Sequence, residues 1–268
     1  MRAIGLVAFA VFRESVRDRV PLAIAGFGVV LVMASYLISQ MTAGQDLKII
    51  KDLGLAALNL LGLLIAMFIG IGLVAKEVER RSIYSLLSRP LTREQFVLGK
   101  FFGLAMTLAV NLGAMCAAFY AVLFYQQLTA TPAQQSVWPA PATDPRLMIA
   151  VLLMFAELMI VTAVALFFST FTGPLTAIML TLGLWIAGHF NADLRNFEEV
   201  MDAPILASVA RGLYYVLPNL APFNVRAEVV HGIPVPGTHV GLTLAYAAVY
   251  VSMLLIGAMA IFRRRDFK

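Results

Sequence analysis

The chain has 268 residues, of which 61% are hydrophobic and 13% charged, and its mean hydropathy is +0.87. A soluble globular domain carries roughly 25% charged residues, so this composition excludes that class and places the chain in the membrane. The net charge of +5 and the pI of about 9.5 then read as basic residues held on one membrane face, and no nucleic-acid partner is expected.

A spanning helix needs about 20 mostly apolar residues, so this length accommodates about six spans. The apolar runs are continuous and about twice as long as the alternating segments of a membrane β-barrel. The expected fold is therefore all-α, a polytopic membrane protein with six transmembrane helices. The single cysteine, Cys116, lies inside an apolar run, which leaves no intrachain disulfide or multi-cysteine metal site.

Residues 1–19 form a candidate interfacial helix. Ile4, Val7, Val11 and Phe12 recur at helical spacing, with Arg13, Glu14, Arg17 and Asp18 largely elsewhere on the wheel. The first span is expected from Pro21 to Gln40, as an uncleaved anchor. A polar link, Met41 to Asp52, leads to the second span, Leu53 to Ala75, which contains Asn59. The segment 76–100 is the one long polar stretch that is also dense in charge. It carries Lys76, Glu77, Glu79, Arg80, Arg81, Arg89, Arg93, Glu94 and Lys100. Within it, Ile83, Leu86 and Leu87 give Glu77 to Ser88 the pattern of a short amphipathic helix. Arg89-Pro90 interrupts it, because a residue preceding proline avoids the helical region. Thr92 and Gln95 have the spacing of a capping box, so a new helix should begin at Arg93 and enter the third span, Phe101 to Tyr125. Gly99 and Gly103 on that helix form a small-xxx-small pair that permits close helix approach.

The loop from Gln126 to Pro145 holds Pro132, Pro139, Pro141 and Pro145 and no Lys or Arg. The fourth span should run from Arg146 to Thr170, break at Thr172-Gly173-Pro174, and be followed by the fifth to Phe190. In the polar region 191–238, Ile205, Leu206, Val209, Leu213 and Val216 mark an interfacial or re-entrant helix between Pro204 and Pro218. The sixth span is expected from Val240 to Phe262, before a basic tail. Arg2, Arg13, Arg17 and Arg19, the central loop and the tail hold most of the basic residues and fall on one side. That side should be cytoplasmic, with both termini inside.

No phosphate-cradling loop is present: Gly99-Lys100 is followed by Phe101 and lacks the upstream glycine. No HExxH or close histidine pair occurs, and the grouping of His189, Asn191 and Asp193 at a span end is a weak cation candidate beside its plain reading as a polar helix end. Glu157 falls near the middle of the fourth span. An acid there costs several kcal/mol unless it is neutralised or paired, so it is a candidate pathway residue, together with Asn59 and Asn111. Asn59, Asn111 and Thr162 are its candidate partners, and the residues near it in sequence offer no second acid, histidine or metal-binding pair.

The stretch ERRSIYSLLSRPLTREQFVLGKFFG resembles the second cytoplasmic segment of type 2 ABC exporter permeases. The matching positions are Glu77 or Glu79, then Arg80, Arg81 and Ser82, the apolar turn from Ile83 to Leu87 that includes Tyr84, Ser88-Arg89-Pro90, Arg93 and Gly99-Lys100. Ser82 stands where threonine is commoner. FRESVRDRV near the start, LPNLAPFNVRAEVVHG and the closing FRRRDF are similar to a multicopper-enzyme-maturation-like branch of that family. The resemblance covers essentially the whole chain as a single transmembrane domain, 1–268.

It implies a half-transporter of the bacterial cytoplasmic membrane with a cytoplasmic coupling helix at 77–93 and external re-entrant helices at 191–238. Its partners would be two ATP-binding subunits, a second copy or a related permease, membrane lipids and a periplasmic accessory protein. No cofactor is expected in this chain, with ATP and Mg in the partner subunits. ATPase-docking residues would be Glu77, Glu79, Arg80, Arg81, Ser82, Tyr84, Arg89, Pro90 and Arg93. The competing readings are an ion-coupled carrier or intramembrane enzyme using Glu157, or a membrane scaffold of an envelope machine.

Overall fold

The computed structural model describes residues 2–17, 19–39, 46–79, 92–190, 212 and 217–264. These form helices joined by turns, with no strand among the described residues. In chain order they are α1 (Arg2–Arg17), α2 (Arg19–Ser39), α3 (Asp46–Glu79), α4 (Arg93–Thr129), α5 (Pro132–Gln135), α6 (Arg146–Ser169) and α7 (Pro174–His189). A 3-10 turn at Ala221–Phe223, α8 (Arg226–Val230) and α9 (Gly237–Arg264) complete them. Five helices (α2, α3, α4, α6 and α9) are long and apolar enough to cross a membrane, and α7 is a shorter apolar helix of 16 residues.

The bundle is built around α6, whose residues are buried on nearly every side. Helix α3 and helix α9 pack against it, α2 lies against α3 and α4, and α1 lies against α4. A core of Leu58, Leu61, Leu112, Met115, Leu158 and Val161 joins α3, α4 and α6. Exposed apolar side chains such as Leu22, Val30 and Leu37 of α2 and Leu242, Val249 and Ile256 of α9 face outward. That distribution, apolar inside and outside, is what a bundle in hydrocarbon requires.

The turn chemistry read from the sequence sets α4. Thr92 Oγ1 accepts from Gln95 N at 3.3 Å, and Gln95 Oε1 accepts from Thr92 N at 3.3 Å, so the capping box is formed. The Gly99/Gly103 pair also has its partner: α1 crosses there. A Cβ on Gly99 would stand 2.6 Å from Val7 Cβ, and one on Gly103 would stand 2.6 Å from the Ala8 carbonyl oxygen. At the same end, Phe96 stacks on Phe262 with ring centroids 6.0 Å apart, and Arg263 reaches Glu94 at 3.8 Å.

Two elements differ from the sequence expectation. The segment read as a polar link to Asp52 is helical from Asp46. Leu47 and Ile50 turn into the core, and the polar residues that follow them find partners: Lys51 Nζ donates to Pro141 O at 2.8 Å, and Asp52 meets Arg226 Nε at 2.9 Å. The fifth predicted span is α7, which at about 1.5 Å per residue is about 12 Å shorter than α6. The chain from 217 to 225 packs against its last turn and against α6. Leu220 N donates to the Gly188 carbonyl at 3.0 Å, which satisfies one of the orphan acceptors of the helix terminus. Leu220 and Phe223 are buried with Ile160 and Val164 of α6. The remainder of the expected re-entrant region, including Ile205 to Val216, lies outside the described residues apart from Gly212.

Candidate functional site

The turn at 170–173 folds α6 and α7 into an antiparallel hairpin. Thr172 N returns to Phe168 O at 2.9 Å, and Pro174 starts α7, where its missing N–H costs no hydrogen bond. Residues equidistant from that turn then face each other. Phe171 is midway between Glu157 and Trp185, and Gly173 is midway between Glu157 and His189. These three side chains meet.

Glu157 is 1% exposed. Trp185 Nε1 donates to its Oε1 at 2.7 Å, and His189 Nε2 stands 3.5 Å from the same oxygen. His189 Nδ1 is 3.1 Å from the Trp185 carbonyl. A carbonyl only accepts, so this contact assigns the proton to Nδ1. In a neutral imidazole Nε2 then presents its lone pair to Glu157, and two acceptors do not face each other favourably. The arrangement is satisfied when one proton lies between them, either on the carboxyl or on the imidazole. That proton removes the cost of a bare carboxylate in a low-dielectric interior. The rings of Trp185 and His189 are 4.6 Å apart and hold each other in place. The His189 side chain, at the end of α7, is 20% exposed, whereas that of Glu157 is 1% exposed.

Two of the residues the sequence offered as partners of Glu157 are bonded elsewhere. Asn111 Nδ2 donates to Thr107 O at 2.8 Å and Thr162 Oγ1 to Leu158 O at 2.8 Å, each within its own helix. Asn59 sits on α3 with its buried Oδ1 lacking a hydrogen-bond partner. His189 is 32 positions from Glu157 in the chain, and the hairpin turn, which sets the register, is the sequence signal that brings the two together. Asn191 and Asp193, grouped with His189 as a cation candidate, lie outside the described residues, and among the described residues no group of three or more metal-ligating side chains forms.

Of the docking residues, Glu77 and Glu79 belong to the last turn of α3 and Arg93 is the first residue of α4. Arg80, Arg81, Ser82, Tyr84, Arg89 and Pro90 lie outside the described residues. The start of α4 lies beside the end of α9.

A family model described as ABC-2 family transporter protein matches residues 6–266. No curated protein matches the chain in sequence.

Proposed function

The chain belongs to the ABC-2 family of transporter proteins and is the membrane permease of an ABC transporter, and we propose that it is one half of an ATP-driven exporter. Two copies, or this chain with a related one, form the pathway. Two separate ATP-binding subunits, which bring ATP and Mg, dock on the segment from Glu77 to Arg93. Both termini are cytoplasmic and the membrane is the bacterial inner membrane. The observation that carries this reading is the family match along nearly the whole chain. The architecture supports it physically. A segment held between the end of α3 and the capped start of α4 passes a rigid-body push to both spans, and its charges set register more than affinity.

The test is affinity purification of the tagged chain from its native membrane in mild detergent, with mass spectrometry of what accompanies it. A nucleotide-binding ATPase recovered in about equal amount is the expected result. A stable permease that reproducibly comes alone overturns the reading and favours the ion-coupled carrier or intramembrane enzyme using Glu157.

Within the exporter, the Glu157–Trp185–His189 cluster ties α6 to α7 through the Trp185 hydrogen bond and the His189 contact on one carboxyl oxygen. Glu157→Gln keeps an acceptor for Trp185 and removes the acid. We expect it to change the pH profile of transport and of partner-stimulated ATP hydrolysis while the protein remains monodisperse. Profiles identical to the parent across pH would assign the cluster to packing alone.

A further inference from the structure

Helices α4 and α6 pack against each other. Between them lies an open groove of about 760 Å³. Its floor on α4 is made of small residues one turn apart, Ala109, Gly113 and Ala117, and its wall on α6 is made of Met148, Leu152 and Phe155. Cys116, the chain's single cysteine, lies along the floor. Polar groups appear only at one end. There Tyr120 donates to Asp144 O at 3.3 Å and Thr143 Oγ1 to Gln127 Oε1 at 2.7 Å, so the groove runs from a hydrogen-bonded rim into purely apolar surroundings. A Cβ built on Gly113 would meet nothing within 4 Å, so the floor is open rather than covered by a neighbouring side chain.

We propose that this groove holds one acyl chain of a membrane phospholipid from the leaflet on that side. Its length supports an acyl chain over a protein segment. On α6 it extends from Pro145 to Phe155, about 15 Å at the helical rise. That is half the thickness of a hydrocarbon core of about 30 Å. A helix of a second permease copy would need a seam along the full height of the span. Here the groove stops at Phe155, two residues before Glu157. Below that level α1 fills the Gly99 and Gly103 face of α4, and the exposed face carries the bulky Phe102 and Met106, so the furrow does not continue. The driving force is not the hydrophobic effect, since chain and groove are both in hydrocarbon. It is dispersion: a furrow of this size lined on two sides gives a chain more atoms to touch than a fluid neighbour does, and an empty furrow forfeits those contacts. The proposal does not depend on how the permease is energised.

The experiment uses the full chain in nanodiscs of phosphatidylethanolamine and phosphatidylglycerol, doped with a phosphatidylcholine that carries a diazirine along one acyl chain. After irradiation, adducts are mapped by mass spectrometry. We expect them concentrated at Gly113, Cys116, Ala117 and Leu152, about tenfold above those at Val249 and Ile256 on the smooth outer face of α9. Gly113→Leu extends into open space and should fold normally. It should lower the groove adducts about tenfold, as expected when roughly ten carbon contacts are lost, and leave the α9 adducts unchanged. Adducts spread evenly over α4, α6 and α9 would overturn the proposal. So would efficient disulfide formation between two copies of an Ala117→Cys variant in the same discs, which would assign the groove to a second permease.

Discussion

Helix α4 uses glycine in two opposite ways. Near its start, Gly99 and Gly103 are occupied sites: α1 lies so close that a Cβ at either would collide with the Val7 and Val11 side chains or with the backbone of α1. Ten residues further on, Gly113 faces open space and forms the floor of a furrow. The residue type is the same, the helix is the same and the apolar surroundings are similar. The difference is whether a second helix arrives. Glycine in a span therefore marks where close approach is permitted, not where it happens.

The largest expected effect follows from the occupied end. Gly103→Leu forces a branched side chain against the Ala8 carbonyl and Val11. Overpacking of this kind costs about 1–3 kcal/mol, and more when the obstacle is backbone. The thermal midpoint of the purified permease should fall, and trypsin should cut more readily at Arg13 and Arg17 as α1 leaves α4. An unchanged midpoint would mean that α1 is held elsewhere.

The open end predicts the opposite sign. Gly113→Ala adds a methyl group to a site with nothing near it and removes the conformational freedom of a mid-helix glycine. It should stabilise by about 0.5–1 kcal/mol, seen as a small rise in the same midpoint. A fall would show that something fills the furrow more tightly than a flexible chain, and would sharpen the contrast with Gly103 in favour of a protein neighbour.

Much of this contrast was legible in the sequence, and its limits are physical. Local signals held: Thr92 and Gln95 cap α4 as their spacing requires, because a capping box involves four consecutive residues and little else. The close-approach pair was legible as well, since it depends on one turn of helix. What was not legible was the partner. Gly99, Gly103 and Gly113 differ only in their tertiary neighbours, and Glu157 announced itself by its chemistry while Trp185 did not and His189 pointed to Asn191 and Asp193 instead. Their encounter depends on the register of a hairpin, which the turn at Thr172-Gly173-Pro174 specifies only once α6 and α7 are known to be antiparallel neighbours. The polar stretch before the second span is helical for a related reason. Lys48, Lys51 and Asp52 suggest a link, whereas Leu47 and Ile50 are core residues whose polar neighbours are satisfied by Pro141 and Arg226 across the bundle end.

That end supplies the smallest prediction. Where the start of α4 is fastened by helix-on-helix contact, the opposite end is fastened by hydrogen bonds and charge: Lys51 to Pro141 O, Arg146 Nη1 to Gly232 O at 2.6 Å, and Asp52 to Arg226. The Asp52–Arg226 pair is the weakest of these ties. Its side chains are 50% and 39% exposed, so water and salt screen it. Asp52→Asn should cost about 0.2–1 kcal/mol, and the difference from the parent should shrink as ionic strength rises, because the Debye length falls to about 3 Å at 1 M salt. A cost that persists at high salt would assign Asp52 a hydrogen-bonding role towards the segment around α8. The fastening of that segment would then resemble the packed end of the bundle rather than contrast with it.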